Sequence, residues 1–117
     1  MQRAEELKRR SKRFALDVIR IFRSLPRTEE GRVLGRQLLR SGTAVGANYR
    51  AACRARSHAE FVAKIGTVVE EIDEAVYWIE LLSEAGVVPK ENMSACLQEA
   101  NELLAIFAAS QRTARKS

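Results

Sequence analysis

The feature that most constrains this chain is a single helical stripe in its second half. Phe61, Ile65, Val68, Ile72, Ala75, Ile79 and Leu82 recur in steps of three and four, close to a heptad seam. No strand pairs its residues at that spacing. The stripe therefore predicts one long amphipathic helix with a narrow apolar face, and such a helix must bury that face against other helices. Its start is marked by Ser57-His-Ala-Glu60, a capping-box pattern, and its stop by Gly86.

The same period runs through the rest of the chain. Leu7, Phe14, Val18, Ile21 and Leu25 form a stripe on a first helix, expected over about 4–24 and ended by Pro26. Thr28 fits an N-cap, with Glu29 and Glu30 in the first turn of a helix over about 28–55. Its inner stripe is Leu34, Leu38, Ser41, Val45 and Ala52. The third helix is expected over about 58–85. Pro89 opens a fourth, over about 90–112, carrying Met93, Leu97, Ala100, Leu104 and Phe107 and fraying into a basic tail, 113–117. Four such helices with short connections predict an all-α, up-down-up-down four-helix bundle forming one domain over 1–117. Six glycines and two prolines are too few for the many turns of a sandwich or barrel.

One stretch is unusual for a helix interior. Ser41-Gly-Thr-Ala-Val-Gly-Ala-Asn48 contains two glycines, each costing about 1 kcal/mol relative to alanine. The spacing fits neither a Walker loop nor a dinucleotide fingerprint, and no strand precedes it. It predicts close approach of a neighbouring helix, with a break in the helix as the alternative.

Charge is segregated along the chain. Residues 1–56 hold 15 Lys/Arg against 5 Asp/Glu, a net of +10, and residues 57–111 hold 2 against 10, a net of −8. At 100° per residue, Arg9, Arg13, Arg20, Arg23 and Arg27 lie opposite the core stripe of the first helix. Arg32, Arg36, Arg40, Arg50 and Arg54 do the same on the second. Two readings stay open. The arginines are a solvated or ion-paired face, meeting acids such as Glu70, Glu74 and Glu80. Alternatively, they form a surface for nucleic-acid backbone, which requires basic groups gathered on one side.

Large apolar groups also fall off the stripes. Tyr77, Trp78 and Leu81 project from the third helix among glutamates, and Leu16 and Ile19 from the first. They predict either cover by a neighbouring helix or a subunit interface; together they favour a homo-oligomer.

Several function classes are disfavoured. His58 is the single histidine, expected to be solvated at a helix start, and the cysteines Cys53 and Cys96 are widely separated. These do not compose a zinc site, and no metal or cofactor is expected. Both cysteines are expected to be small buried hydrophobes without a disulfide. Nothing marks a serine or cysteine as an activated nucleophile, so no enzyme activity is expected. Glu70 and Glu74 stand at i, i+4, but charged helix faces are usually just solvated. No run approaches the roughly 20 apolar residues of a membrane span. With no apolar stretch behind the charged N-terminus, a cytoplasmic location is expected.

Specific residues also carry a resemblance. These are Ser24-Leu-Pro26, then Leu34-Gly-Arg-Gln-Leu-Leu-Arg-Ser-Gly-Thr-Ala-Val-Gly-Ala-Asn-Tyr-Arg50, then Ser57 with Phe61 and Lys64, then Glu71 with Glu74 and Tyr-Trp-Ile-Glu-Leu-Leu82. Over roughly 14–85 the chain resembles the bacterial four helix bundle protein family, also called the ribosomal-RNA intervening-sequence proteins. It departs at Ala51, where the family usually has glutamate, and at Glu70, where lysine is common; these positions bear on ion pairs, not on the fold. The family is similar to the accessory protein of diversity-generating retroelements, a basic pentameric barrel that associates with nucleic acid and a reverse transcriptase. The resemblance thus implies a ring-like homopentamer, RNA or DNA as partner, and a nucleic-acid-processing protein as a further partner.

Overall fold

The computed structural model describes residues 2–117. Among them are four helices and no strand: α1 (Gln2–Ser24), α2 (Glu29–Cys53), α3 (His58–Glu84) and α4 (Lys90–Lys116). They form an elongated body of 46 × 22 × 20 Å. Consecutive helices pack as neighbours, while α4 closes only lightly onto α1.

Local chemistry sets the boundaries. Thr28 caps α2, its hydroxyl accepting from the Gly31 amide at 3.1 Å. Ser57 caps α3 by accepting from the Glu60 amide at 3.1 Å. The return arm of the box is displaced: the Glu60 carboxylate accepts from the Arg56 amide at 3.3 Å, one residue before the cap. Gly86 ends α3 at φ 73°, and the Val87 amide reaches back to the Leu82 carbonyl at 3.1 Å. This left-handed closure suits glycine, which has no Cβ to clash there.

Differences from expectation are confined to helix ends. The first helix begins at Gln2 rather than Ala4. The fourth runs through Lys116, so residues 113–116 are helical and not a frayed tail. Ala114 is buried, its carbonyl bonds the His58 imidazole at 2.8 Å, and Arg115 and Lys116 complement the negative end of the helix dipole. His58 is exposed at the first position of α3, as expected, yet it ties α3 to α4.

The core follows the stripes. Ile65, Val68, Ile72, Ala75, Ile79 and Leu82 are fully buried, and Phe61 is half-buried at the end of the line. They meet Leu7, Phe14 and Val18 of α1, Leu38, Val45 and Ala52 of α2, and Met93, Ala100 and Phe107 of α4. Tyr49 and Phe107 pack across the centre with ring centroids 5.1 Å apart. Burial raises the Tyr49 phenol well above its ordinary range, with Cys53 adding to the effect. Ser11 is buried at no polar cost, because its hydroxyl donates to the Leu7 carbonyl at 2.8 Å.

Ser41–Asn48 is continuous helix. Its glycines face α1 closely: a Cβ on Gly42 would lie 2.9 Å from Val18 Cγ2, and one on Gly46 3.2 Å from Ser11 Oγ. The small residues are there for close helix approach.

The cysteines divide. Both are free, Cys96 buried and Cys53 exposed, so Cys53 is not the buried hydrophobe expected. As the final residue of α2 it sits where the helix leaves the bundle. Burial, helped by Asp17 and Glu99, pushes the Cys96 thiol up to about 12.

Candidate nucleic-acid interface

All ten arginines singled out from the sequence are exposed. The reason lies in the stripes: once apolar residues fix the inner face of α1 and α2, residues opposite must face solvent. The structure gathers seven of the ten into two clefts on the α1–α2 face.

The first cleft, of about 300 Å³, lies between the N-terminal half of α1 and the C-terminal half of α2. Arg9, Arg50 and Arg54 line it with Lys8 and Lys12. Glu5 is its one acid and pairs with Lys8 at 3.1 Å. The second cleft, of about 390 Å³, lies at the α1–α2 turn and is lined by Arg23, Arg27, Arg32 and Arg36 around Pro26 and Gly31. Arg32 donates to the Arg27 carbonyl at 3.1 Å, which braces the turn. Lys8 and Lys12 were not singled out from the sequence; the α1–α2 register, invisible in one helix alone, puts them beside Arg50.

Three of the ten lie elsewhere. Arg20 pairs with Asp17 on its own helix. Arg40 reaches across to Glu74 and Glu71 of α3, with Glu74 the main cause of its raised pKa. Arg13 lines neither cleft. The acids met by Arg40 are thus in the same chain, and Glu71 takes part rather than Glu70 or Glu80. A further arginine escaped notice: Arg10 forms a two-pronged pair with Glu99 of α4, at 3.0 and 2.7 Å, and reaches Glu102 at 3.0 Å. These bonds, with Glu99 foremost, raise its pKa further above an already high value. Arg10 lies close to the core stripe of α1, so it was not sought among the outward arginines.

The off-stripe apolar residues split into two places. Leu16 is 46% exposed and Ile19 half-buried, and both sit on α1 between the levels of the two clefts. Tyr77, 54% exposed, stacks edge-on against Trp78 with centroids 5.0 Å apart. Trp78 and Leu81 are half-buried, and the indole Nε1 of Trp78 is buried without a hydrogen-bond partner. Val33 joins them. It lies two turns before Arg40 on α2, as Trp78 and Leu81 lie two turns after Glu71 and Glu74 on antiparallel α3, and it is 51% exposed. Val33 follows no stripe, so only the pairing of α2 with α3 reveals it.

Among the described residues no three His, Cys, Asp or Glu side chains converge as a metal set, and no helix is long and apolar enough to cross a membrane. The family model described as 23S rRNA-intervening sequence protein matches residues 4–109. The chain belongs to that family. The match reaches into α4 as far as residue 109, beyond the 14–85 stretch whose motifs resemble the family in sequence. A crystal structure from Bacteroides thetaiotaomicron, described as a protein of unknown function from the S23 ribosomal protein family, is similar at 28% identity. It covers 93% of this chain and 97% of that chain, with a TM-score of 0.86. No curated protein matches.

Proposed function

We propose that this protein binds nucleic-acid backbone through the arginines of α1 and α2, without reading sequence and without catalysing a reaction. One observation carries the reading: all ten arginines are exposed, and among the described residues only Arg20 and Arg40 of the ten meet a carboxylate. Unpaired guanidinium groups gathered on one face suit phosphate oxygens, which they bind as forks.

The reading includes assembly of copies through the α2–α3 face, where Val33, Tyr77, Trp78 and Leu81 lie together. The assembly proposed is a ring of five, as the family resemblance implies, working in the cytoplasm beside a nucleic-acid-processing protein. Leu16 and Ile19 belong to the α1–α2 face in this arrangement, and the arginines stay open. Repetition of the basic face in each copy raises avidity without new contacts.

Titration of mixed-sequence RNA and DNA at low salt tests the binding. Affinity should be nearly independent of sequence and fall steeply with salt, by about −0.9 in log K against log salt per phosphate for duplex DNA and about −0.7 for single strands. No binding to either polymer would end this reading and favour a protein-interaction scaffold. A purely monomeric species in light scattering would remove the ring and leave the arginine face standing.

A further inference from the structure

The arginines of the two clefts are arranged as a rectangle. On α1, Arg9 and Arg23 are fourteen residues apart; on α2, so are Arg36 and Arg50. Fourteen residues make nearly four whole turns, so each pair points the same way, about 21 Å apart along its helix. The two helices are antiparallel and in close register, with Gly42 against Val18 and Gly46 against Ser11. That register brings Arg9 level with Arg50, and Arg23 level with Arg36. The clefts show the same pairing, Arg9 with Arg50 in one and Arg23 with Arg36 in the other. The short edges span neighbouring helix axes, about 8–10 Å apart.

Charge is concentrated at the two short edges. Lys8, Lys12 and Arg54 reinforce one, and Arg27 and Arg32 the other. Between the edges, Ala15, Leu16 and Ile19 on α1 and Leu39 and Thr43 on α2 are uncharged, while Arg13, Arg20 and Arg40 stand at the same levels, Arg20 paired with Asp17 and Arg40 with Glu71 and Glu74. The Thr43 hydroxyl is already spent on the Leu39 carbonyl at 2.7 Å.

No aromatic ring on this face is exposed. The aromatic side chains of α1 and α2 are Phe14, Phe22 and Tyr49. Phe14 and Tyr49 are buried in the core, and Phe22, which lines the second cleft, is half-buried with its ring edge against Gly35. Single-stranded nucleic acid is gripped chiefly by stacking of its splayed bases together with a basic track. This face has no exposed ring to supply the first element.

We infer that the α1–α2 face takes a double helix, its two basic edges holding the phosphates of opposite strands across one groove. This rests on the nucleic-acid reading above. A duplex presents its two phosphate rims at a fixed separation. The B-form major groove is about 12 Å wide before the phosphate groups themselves are added, within reach of edges about 21 Å apart. A rigid helix pair meets a rigid duplex at both edges together. A flexible strand must be held extended from one edge to the other and loses conformational freedom in doing so.

The experiment compares RNA and DNA duplexes about 20 base pairs long, well beyond the platform at about 3.4 Å per step, with their separated strands. The strands are chosen to lack self-structure, and the full-length protein is titrated at low salt by fluorescence anisotropy. The duplexes should bind at least roughly tenfold more tightly than either strand, the advantage of joining two linked contacts. Neutralising one edge, Arg9→Gln with Arg50→Gln, should bring duplex affinity down to the single-strand level. Neutralising the other, Arg23→Gln with Arg36→Gln, should do the same. Circular dichroism checks that each variant keeps its helices. Equal affinity for strand and duplex would overturn the double-helix assignment while leaving backbone binding in place. Double variants that weaken strand and duplex by the same factor would overturn it too. No binding to any of the four probes would remove the nucleic-acid reading and this assignment with it.

Discussion

Two seams of the bundle are built in opposite ways. Where α3 meets α4, large side chains fill the space: Ile72, Ile79, Leu82, Leu103 and Phe107 are all fully buried. Where α1 meets α2, side chains are removed. Gly35, Gly42 and Gly46 line the contact, and a Cβ on any of them would press on Leu25, Val18 or Ser11. The first seam gains stability from buried apolar area. The second gives some of that up, together with about 1 kcal/mol of helix propensity at each glycine, and gains closeness. Closeness is what an arginine face on two helices needs, since side chains on separate helices act as one surface only when the axes lie near each other. The acids mirror this division. Arg10 and Arg40, near the borders with α4 and α3, are drawn into ion pairs there, while the clefts of the α1–α2 face hold Glu5 as their only acid.

The comparison breaks most visibly at Phe107. Its ring is fully buried and meets Tyr49 across the centre of the bundle. Phe107→Ala should cost about 3–5 kcal/mol, from lost transfer energy and the cavity left behind. Urea unfolding followed by helical circular dichroism measures it. A cost under about 1 kcal/mol would mean that α4 collapses into the gap and that this seam is not held by volume.

At the other seam the damaging change adds atoms. Gly42→Val places a branched side chain where a Cβ alone would already stand 2.9 and 3.0 Å from the two methyls of Val18. Val18 is itself branched and fully buried, so it has little room to turn. Overpacking of this kind should cost about 1–3 kcal/mol. It should also push α1 away from α2 and separate Arg9 from Arg50. Loss of nucleic-acid affinity larger than the loss of fold stability would therefore sharpen the contrast, and a variant as stable as the parent would break it.

Much of this was legible in the sequence because helices announce themselves locally. Caps at Thr28 and Ser57, the stop at Gly86 and the regular stripe of α3 depend on residues within a few positions of each other. The small-residue stretch Ser41–Asn48 was readable as a close contact for the same reason, although its partner was not. What escaped depends on register between helices. Lys8 and Lys12 join the first cleft because α2 lies beside them, and Val33 joins Trp78 because α3 does. Arg10 was hidden near the inner stripe, at a place where α4 happens to bring Glu99 and Glu102. Cys53 reads as apolar by type, but its exposure follows from α2 ending there. The course of α4 to Lys116 rests on Ala114 being buried and on a bond from His58, 56 positions away.

The smallest effect should have the opposite sign. Gly66 lies in α3, and a Cβ there would come within 2.9 Å of Gln111 Nε2 on α4 and of nothing else within contact distance. The obstacle is the far end of a long, flexible side chain, which rotates away at little cost. Gly66→Ala therefore keeps most of the helix-propensity gain, up to about 1 kcal/mol. Gly42→Ala starts with the same gain but must displace the stiff, buried Val18, so its net benefit should be smaller or negative. Measured side by side by thermal unfolding, the two alanines isolate the seams from everything else, because the substitution and the secondary structure are the same. Gly66→Ala should raise the melting temperature by a few degrees. If both variants were stabilised equally, the glycines of α2 would be incidental to how α1 docks. Only a gap between the two, in favour of Gly66, leaves close approach as the reason that α2 carries them.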